Sequence, residues 1–335
     1  MARSPTQSRQ ATPGRTVHRT TRRAPAPAAV STLREAKHEP AVEESSGLLA
    51  MAEEAISWLA NEGFRRAPTF LRELEEEVRE KIRRAPMELN AYGYDPWGFQ
   101  TDVACRAMVI SSLIYRYYFR VQTSGIENLP SGPMLLISNH AGQIALDAAM
   151  IAVACVLDGE PPRIVRGMGE YWLPRLPLLN VAMVRTGSVV GTPKNCVDLL
   201  EHGEAVIAFP EGIRGMNKSF TERYRLQEFG YGFMRLALQA NTPIVPIAVV
   251  GSEEQAISLG NFKPLARLLR MPAFPLLLNF FPLPTRYHIH FGKPLHFTGD
   301  WNDEDRVIGE KVDEVKHAIR TMLDEGLAAR RSIFF

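Results

Sequence analysis

The feature that most constrains the fold of this chain is an alternation of apolar runs and amphipathic helical patterns between residues 125 and 299. Apolar runs at 133–138 and 205–209 predict strands, and the unbroken run at 243–250 is typical of a strand buried on both faces. Strands and helices that alternate in this way form a sheet whose faces are covered by helices. We therefore predict an α/β fold with a mixed, largely parallel sheet flanked by helices.

The same patterns assign the remaining elements. Thr192 followed by Pro193 is typical of a helix start, because a threonine hydroxyl caps free N–H groups and proline has no N–H to leave unpaired. The predicted helices cover 47–84 as a pair, 101–119, 145–157, 192–201, 226–239 and 304–327, and the other predicted strands cover 163–166, 181–186 and 287–291.

Composition divides the chain into three predicted regions. Residues 1–34 hold seven arginines and no acidic residue, with almost no large apolar side chain. Such a segment cannot bury enough surface to fold, so residues 1–45 are predicted to be a disordered basic tail, which either attracts anionic lipid headgroups or has no role. Residues 46–120 are predicted to be a helical extension that docks on the domain or faces a membrane. Residues 121–330 form the predicted α/β domain.

Three cysteines lie far apart, without the C-x-x-C spacing of a metal site or the density of a disulfide framework. We therefore expect a reducing, cytoplasmic environment, no metal and no cofactor. No stretch reaches the roughly 18 uncharged apolar residues that span a bilayer. A nucleic-acid partner is not expected, because no aromatic residue is interleaved with the arginines of the tail.

A histidine directly follows the first predicted strand. His140 is preceded by Asn139 and followed, seven positions later, by Asp147. A histidine at a strand end, oriented by a carboxylate, can act as a general base that removes the proton from a hydroxyl group. We predict His140 as the general base and Asp147 as its orienting acid, although a strand-end histidine can also be purely structural.

A second motif, Phe-Pro-Glu-Gly-Ile-Arg, ends another predicted strand at residues 209–214. Pro210 stops the strand ladder, so Glu211 is predicted to project into the crevice and to hydrogen-bond a hydroxyl group of a ligand. Gly212 lets a ligand approach the backbone, and Arg214 can bind a phosphate. Taken alone, Pro-Glu-Gly is also ordinary turn chemistry.

These two motifs, in this order, resemble the glycerolipid acyltransferase superfamily, which includes lysophosphatidic acid and monoacylglycerol/diacylglycerol acyltransferases. The lysophospholipid enzymes have Asn-His-x4-Asp, whereas six residues separate His140 from Asp147 here. In an unbroken helix the carboxylate would lie about 10 Å along the axis, so residues 141–144 must loop out. Gly142 makes such a loop easy and, with Gln143, is predicted to contact substrate. A glycine-containing loop after the histidine resembles the monoacylglycerol/diacylglycerol branch.

The resemblance also implies the substrates. Arg185, in Val-Arg-Thr-Gly, resembles the substrate-binding arginine block of the family and would contact a phosphate of the acceptor or donor, although a surface arginine is an equal alternative. Acyl-CoA, or acyl carrier protein, would supply the acyl group as a substrate. Membrane lipids are the expected partners, and the expected location is peripheral, on the cytoplasmic side of a membrane.

Several alternatives stay open at this point. The acceptor is either lysophosphatidate or a neutral glyceride. The altered spacing also allows a lipid-binding or scaffold protein without catalysis, and His140 could instead activate water in a hydrolase. Aromatic residues at 115–119 and the apolar segment 271–284 are candidates for membrane contact, but either could instead pack on the core.

Overall fold

A computed structural model describes residues 69–140, 145–171, 178–262, 264, 275–279 and 281–334. The predicted tail and the first helix of the extension, as well as Gly142 and Gln143, lie outside these residues. The α-helices are α1 Thr69–Arg84, α2 Thr101–Leu113, α3 Leu146–Leu157, α4 Leu179–Arg185, α5 Pro193–Glu201, α6 Ile213–Met216, α7 Gly232–Gln239 and α8 Asp305–Ala329. The strands are β1 Gln122–Ser124, β2 Met134–Ser138, β3 Val165–Gly169, β4 Val189–Val190, β5 Ala205–Ala208, β6 Ile244–Val250, β7 Ser258–Asn261, β8 Pro275–Leu277 and β9 His288–Phe291.

Seven of these strands form one sheet in the order β1-β9-β6-β2-β5-β3-β4, and β7 and β8 form a separate hairpin. Strands β6, β2, β5, β3 and β4 run parallel to one another, whereas β9 is antiparallel to β6 and parallel to β1. The prediction of a mixed, largely parallel sheet is confirmed. All seven residues of β6 are buried, as its unbroken apolar run predicts.

Two hydrophobic clusters cover the two faces of the sheet. Leu136 of β2 packs into the cluster that receives α1, α2 and α3, while its neighbours Leu135 and Ile137 pack into the cluster that receives α5, α7 and α8. Successive strand residues point to opposite faces, so both clusters draw on the same short strand. The helices α1 and α2 therefore share a core with the sheet. Among the described residues, no helix is long and apolar enough to cross a membrane.

Two sequence predictions of local structure are wrong. The predicted strand at 181–186 is the helix α4, and the strand of this region is β4, which pairs with β3. A short apolar run does not distinguish a strand from a buried helix by periodicity, and here Gly187, with φ of 103°, turns the chain only after the helix. The predicted helix at 226–239 begins at Gly232, because the preceding residues bond to the loop that follows β5.

A buried arginine joins the segment before α2 to the sheet. Arg166 of β3 has Nη2 2.6 Å from Asp95 Oδ2 and Nε 2.9 Å from Glu204 Oε2, and its side chain is fully buried. Its guanidinium also lies over the rings of Trp97 and Phe99. One cation thus lies between two carboxylates inside the protein, where removing a partner of a buried ion pair is costly.

Replacement of Arg166 by methionine leaves two buried carboxylates without their cation. We expect Arg166→Met to lower the free energy of unfolding by about 3–5 kcal/mol, measured by urea denaturation. The control is Arg306→Met, which breaks an exposed pair with Glu310 on α8 and should change stability by less than about 1 kcal/mol. Equal losses in the two variants would contradict a structural role for the buried arginine.

Candidate active site

The structure brings the predicted base and acid together. His140 follows the end of β2, Asp147 lies in the first turn of α3, and His140 Nδ1 is 2.8 Å from Asp147 Oδ2. The helix α3 begins only at Leu146, so His140 is not part of it. The two side chains can therefore meet although seven positions separate the residues in the sequence. Asp147 is completely buried, and its Oδ1 accepts a hydrogen bond of 2.8 Å from the backbone N–H of Ala148. The carboxylate is therefore held in place on both oxygens.

The imidazole of His140 is also fixed by packing. Its ring stacks on that of Phe209, with 4.1 Å between the centroids and 23° between the planes. Phe209 comes directly after β5, the strand next to β2, so the stacking follows from the order of the strands. With Nδ1 paired to Asp147, Nε2 is the ring nitrogen that is left for a substrate proton.

Glu211 holds the backbone of the histidine. Its Oε1 accepts from the N–H of His140 at 2.9 Å, and its Oε2 accepts from the N–H of Gln227 at 2.8 Å. Only 1% of the residue is exposed. Both carboxylate oxygens of Glu211 thus hold backbone N–H groups, and its predicted contact with a hydroxyl group of a ligand stays a prediction.

A buried lysine and a second buried glutamate complete this network. Lys218 Nζ lies 3.2 Å from Glu211 Oε2 and 2.9 Å from Glu253 Oε1. Asn139, the residue before the histidine, donates to Glu253 Oε1 at 3.3 Å and exchanges hydrogen bonds with the backbone of Val249. Burial raises the pKa of the Glu253 carboxyl, and the nearby Lys218 opposes that rise. Sequence analysis missed Lys218 and Glu253, since neither belongs to a motif.

Two glycines shape the loop after β5. Gly212 has a φ of 54°, and a Cβ built there would meet no atom within 4 Å, so this position faces open space. Gly215 is different, because a Cβ there would come within 2.9 Å of Glu211 Cβ and 3.0 Å of His140 Cβ. A side chain at Gly215 would therefore push the histidine and the glutamate apart. Sequence analysis did not identify this glycine.

The two predicted phosphate-binding arginines lie in different surroundings. Arg214 is half exposed, and its guanidinium donates to Glu228 Oε2 at 3.2 Å and to the Glu228 carbonyl at 3.0 Å. Arg185 ends α4 and lines a cavity of about 360 Å³ at the ends of β3 and β4. Valines supply much of the cavity wall, which lies at the same sheet edge as His140 and two strands away from β2. The structure thus does not place the two arginines in one cluster with the histidine.

The arrangement suits general-base chemistry. One ring nitrogen of His140 is paired with a buried carboxylate, its backbone is anchored, and its ring is packed against an aromatic side chain. All of these contacts meet at the carboxyl ends of parallel strands, where α/β proteins bind their ligands. Catalytic roles for these residues stay predictions at this point.

Replacing Lys218, the cation between Glu211 and Glu253, tests this network directly. Lys218→Met leaves two buried carboxylates unpaired, so we expect the free energy of unfolding to fall by about 3–5 kcal/mol in urea denaturation. The exposed Lys194 supplies the control, and Lys194→Met should stay within about 0.5 kcal/mol of the parent.

A double variant separates this charge effect from general damage. Glu253→Gln removes one of the two unpaired carboxylates, so Lys218→Met/Glu253→Gln should be more stable than Lys218→Met alone by about 1–2 kcal/mol. Strictly additive losses from the two substitutions would show that Lys218 and Glu253 are not energetically coupled.

Comparison with known proteins gives a consistent result. A family model described as Acyltransferase matches residues 120–250. An uncharacterized protein of Mycobacterium tuberculosis (strain ATCC 25618 / H37Rv) is 35% identical over 261 residues, which are 73% of this chain and 72% of that protein. A human protein named "DGAT1/2-independent enzyme synthesizing storage lipids" is 25% identical over 211 residues, 61% of each chain.

A solved structure is also similar. The crystal structure of the 1-acyl-sn-glycerophosphate acyltransferase PlsC from Thermotoga maritima matches with a TM-score of 0.48 and 17% identity, over 69% of this chain and 82% of that one. The segment matched by the family model contains both the His140–Asp147 pair and Glu211. The chain belongs to the Acyltransferase family.

Proposed function

We propose that this protein transfers a fatty acyl group from an acyl thioester to a hydroxyl group of a glycerolipid. The observation that carries the proposal is the 2.8 Å contact between His140 Nδ1 and Asp147 Oδ2, at the open ends of parallel strands. An imidazole that is oriented through one nitrogen can act as a general base at the other. Membership of the Acyltransferase family supports the same class of reaction.

In the proposed mechanism, Nε2 of His140 takes the proton of the acceptor hydroxyl while the hydroxyl oxygen attacks the thioester carbonyl carbon. The C–S bond of the tetrahedral intermediate then breaks, and the leaving thiolate takes the proton from the imidazolium. Asp147 holds the other proton on Nδ1 and stabilises the imidazolium while it exists. The acyl group passes directly from donor to acceptor, without a covalent acyl-enzyme.

The proposed donor is acyl-CoA or acyl carrier protein. Both present an acyl chain and a phosphate-bearing arm, which call for an apolar cavity and a nearby cation. The cavity at the ends of β3 and β4 has Val181, Val184 and Val190 in its lining, and Arg185 lies beside them. Its position at the sheet edge of His140 supports a role in holding the acyl chain.

The proposed acceptor is a neutral mono- or diacylglycerol rather than lysophosphatidate. Arg214, one of the two predicted phosphate ligands, already has its charge balanced by Glu228. A phosphate would have to displace that carboxylate. The similarity to a protein named for synthesizing storage lipids supports a neutral acceptor as well.

The proposed location is the cytoplasmic side of a membrane, where the protein is peripherally attached. A lipid acceptor calls for contact with a membrane, and the three cysteines, which are free and buried, fit the reducing cytoplasm.

Loss of the base or of its orienting acid should abolish turnover. With labelled acyl-CoA and micellar monoacylglycerol, diacylglycerol or lysophosphatidate, we expect His140→Ala and Asp147→Asn to lower kcat/KM by about 10²–10⁴-fold, because proton transfer is lost or misdirected. His317→Ala, at an exposed position on α8, is the control and should retain full activity.

The same assay distinguishes the alternatives. Acylated product from none of the acceptors, with folded parent protein, would reject the enzyme hypothesis and favour a lipid-binding protein. Release of free fatty acid without any acceptor would indicate a hydrolase. Both variants should keep the circular dichroism spectrum of the parent, so that a loss of activity is not a loss of fold.

The identity of the acceptor can be tested at Arg214. If the acceptor is neutral, Arg214→Gln should change kcat/KM by less than about threefold, and the parent should prefer mono- or diacylglycerol to lysophosphatidate. A phosphate bound by this arginine would be worth about 1.5–3 kcal/mol, so its loss would cost tenfold or more with lysophosphatidate. A preference for lysophosphatidate that Arg214→Gln removes would overturn the proposed neutral acceptor.

A further inference from the structure

Large apolar side chains are exposed on and beside the β7–β8 hairpin. Leu259, Leu278 and Phe281 are 61%, 68% and 74% exposed, and Phe262 and Leu276 are about half exposed. The hairpin is held to the domain by a backbone bond from Leu278 to the Ile257 carbonyl and by the side chain of Asn279. Large apolar side chains that are exposed on one short segment indicate an interaction site.

The hairpin leaves the domain at the edge that carries the catalytic histidine. β6 runs parallel to β2 and ends at Val250, and the turn Ser252–Glu254 then supplies the Glu253 that bonds Asn139. The chain returns to the sheet at His288, which is paired with Val250 in the antiparallel β9. The hairpin is thus an insertion between two neighbouring strands, at the level of the candidate active site.

Aromatic residues of the turn after α2 belong to the same surface. Tyr118 donates its hydroxyl hydrogen bond to the carbonyl of Pro282, the residue after Phe281. Arg120 donates to the Pro284 carbonyl at 2.6 Å. Tyr117, the residue before Tyr118 in the sequence, is two-thirds exposed. Tyrosine suits a boundary between an apolar phase and water, because its ring is apolar and its hydroxyl is polar.

The charged residues of the segment that contains the hairpin are all basic. Residues 255–299 contain no aspartate or glutamate, but they contain three arginines and two lysines. Of the acidic residues nearby, Glu254 is paired with Arg330, and Glu77 is paired with Arg116 at 2.6 Å. Among the described residues beside this surface, Arg120 donates to the carbonyls of Tyr118, Pro284 and Phe334, so its positive charge is available to complement an anionic partner.

We infer that this surface, defined by Tyr117, Leu259, Phe262, Leu276, Leu278 and Phe281, docks the protein on a bilayer that contains anionic lipids. Its apolar side chains enter the acyl region, and the neighbouring Arg120 binds a headgroup. A second copy of the chain is a poorer occupant, because the same basic charge would face itself across the interface. The inference extends the proposed function, since docking by this edge would bring His140 to a lipid acceptor.

Vesicle binding by the full chain tests this inference. We expect the parent to partition more strongly into vesicles of phosphatidylcholine with phosphatidylglycerol than into phosphatidylcholine alone, and to lose this preference as salt is added. Leu278→Ser/Phe281→Ser should bind the anionic vesicles at least about tenfold more weakly, because two exposed apolar side chains no longer insert. Both side chains are exposed, so the fold should not change.

Trp301→Ser is the matched control. Trp301 is an exposed aromatic residue just before α8, and the far end of that helix, at Gly326, lies against Val250. The tryptophan therefore lies near the end of α8 that is farther from Val250, and Trp301→Ser should bind vesicles as the parent does. All variants keep the arginine-rich residues 1–34, so any contribution of that segment is the same in each.

The outcomes separate docking from catalysis. Equal vesicle binding by Leu278→Ser/Phe281→Ser and the parent would overturn the docking surface, even if the parent acylates a micellar acceptor. Reduced vesicle binding by the same variant would support the surface even if no acylation were found, in which case the proposed function alone would fail. A change from dimer to monomer in light scattering, with unchanged vesicle binding, would instead assign the surface to a second copy.

Discussion

The contact between Glu211 and the backbone N–H of His140 is the constraint on which the site depends. It joins the loop after β5 to the end of β2, so the position of the histidine is set by the sheet rather than by a flexible side chain. Asp147 then needs only to reach one ring nitrogen, and the stacking on Phe209 limits the remaining rotation of the ring. General-base catalysis requires this kind of fixed geometry, because proton transfer depends steeply on distance and direction.

The same constraint has an energetic cost. Glu211 and Glu253 are both buried, and burial raises the pKa of Glu253. Lys218 lies between them and supplies one positive charge to the pair, while backbone N–H groups of Gln227 and Tyr224 donate to carboxylate oxygens. A buried ionic group of this type adds little net stability but fixes one arrangement, since every other arrangement leaves a charge unpaired. The network therefore defines the geometry of the site more than it stabilises the fold.

The topology of the sheet explains why catalysis and lipid contact would share one edge. The carboxyl ends of β2, β5 and β3 carry the histidine, the glutamate loop and the apolar cavity. The β7–β8 hairpin is inserted after β6 at that same edge, and the exposed aromatic residues before β1 lie beside it. A water-insoluble acceptor could then move from a bilayer to the base without crossing the domain.

The sequence by itself determined the fold class, the strands β2, β5, β6 and β9 and the two motifs that resemble the glycerolipid acyltransferases, because hydrophobic periodicity and residue order are local properties. It did not determine that 181–186 forms a helix, since a short apolar run fits either structure. Only the tertiary structure decided that Asp147 meets His140 across seven positions, that Glu211 turns inward, and that Lys218 and Glu253 complete the site. These contacts join residues distant in sequence, and they depend on which strands are neighbours and where each loop crosses the sheet edge.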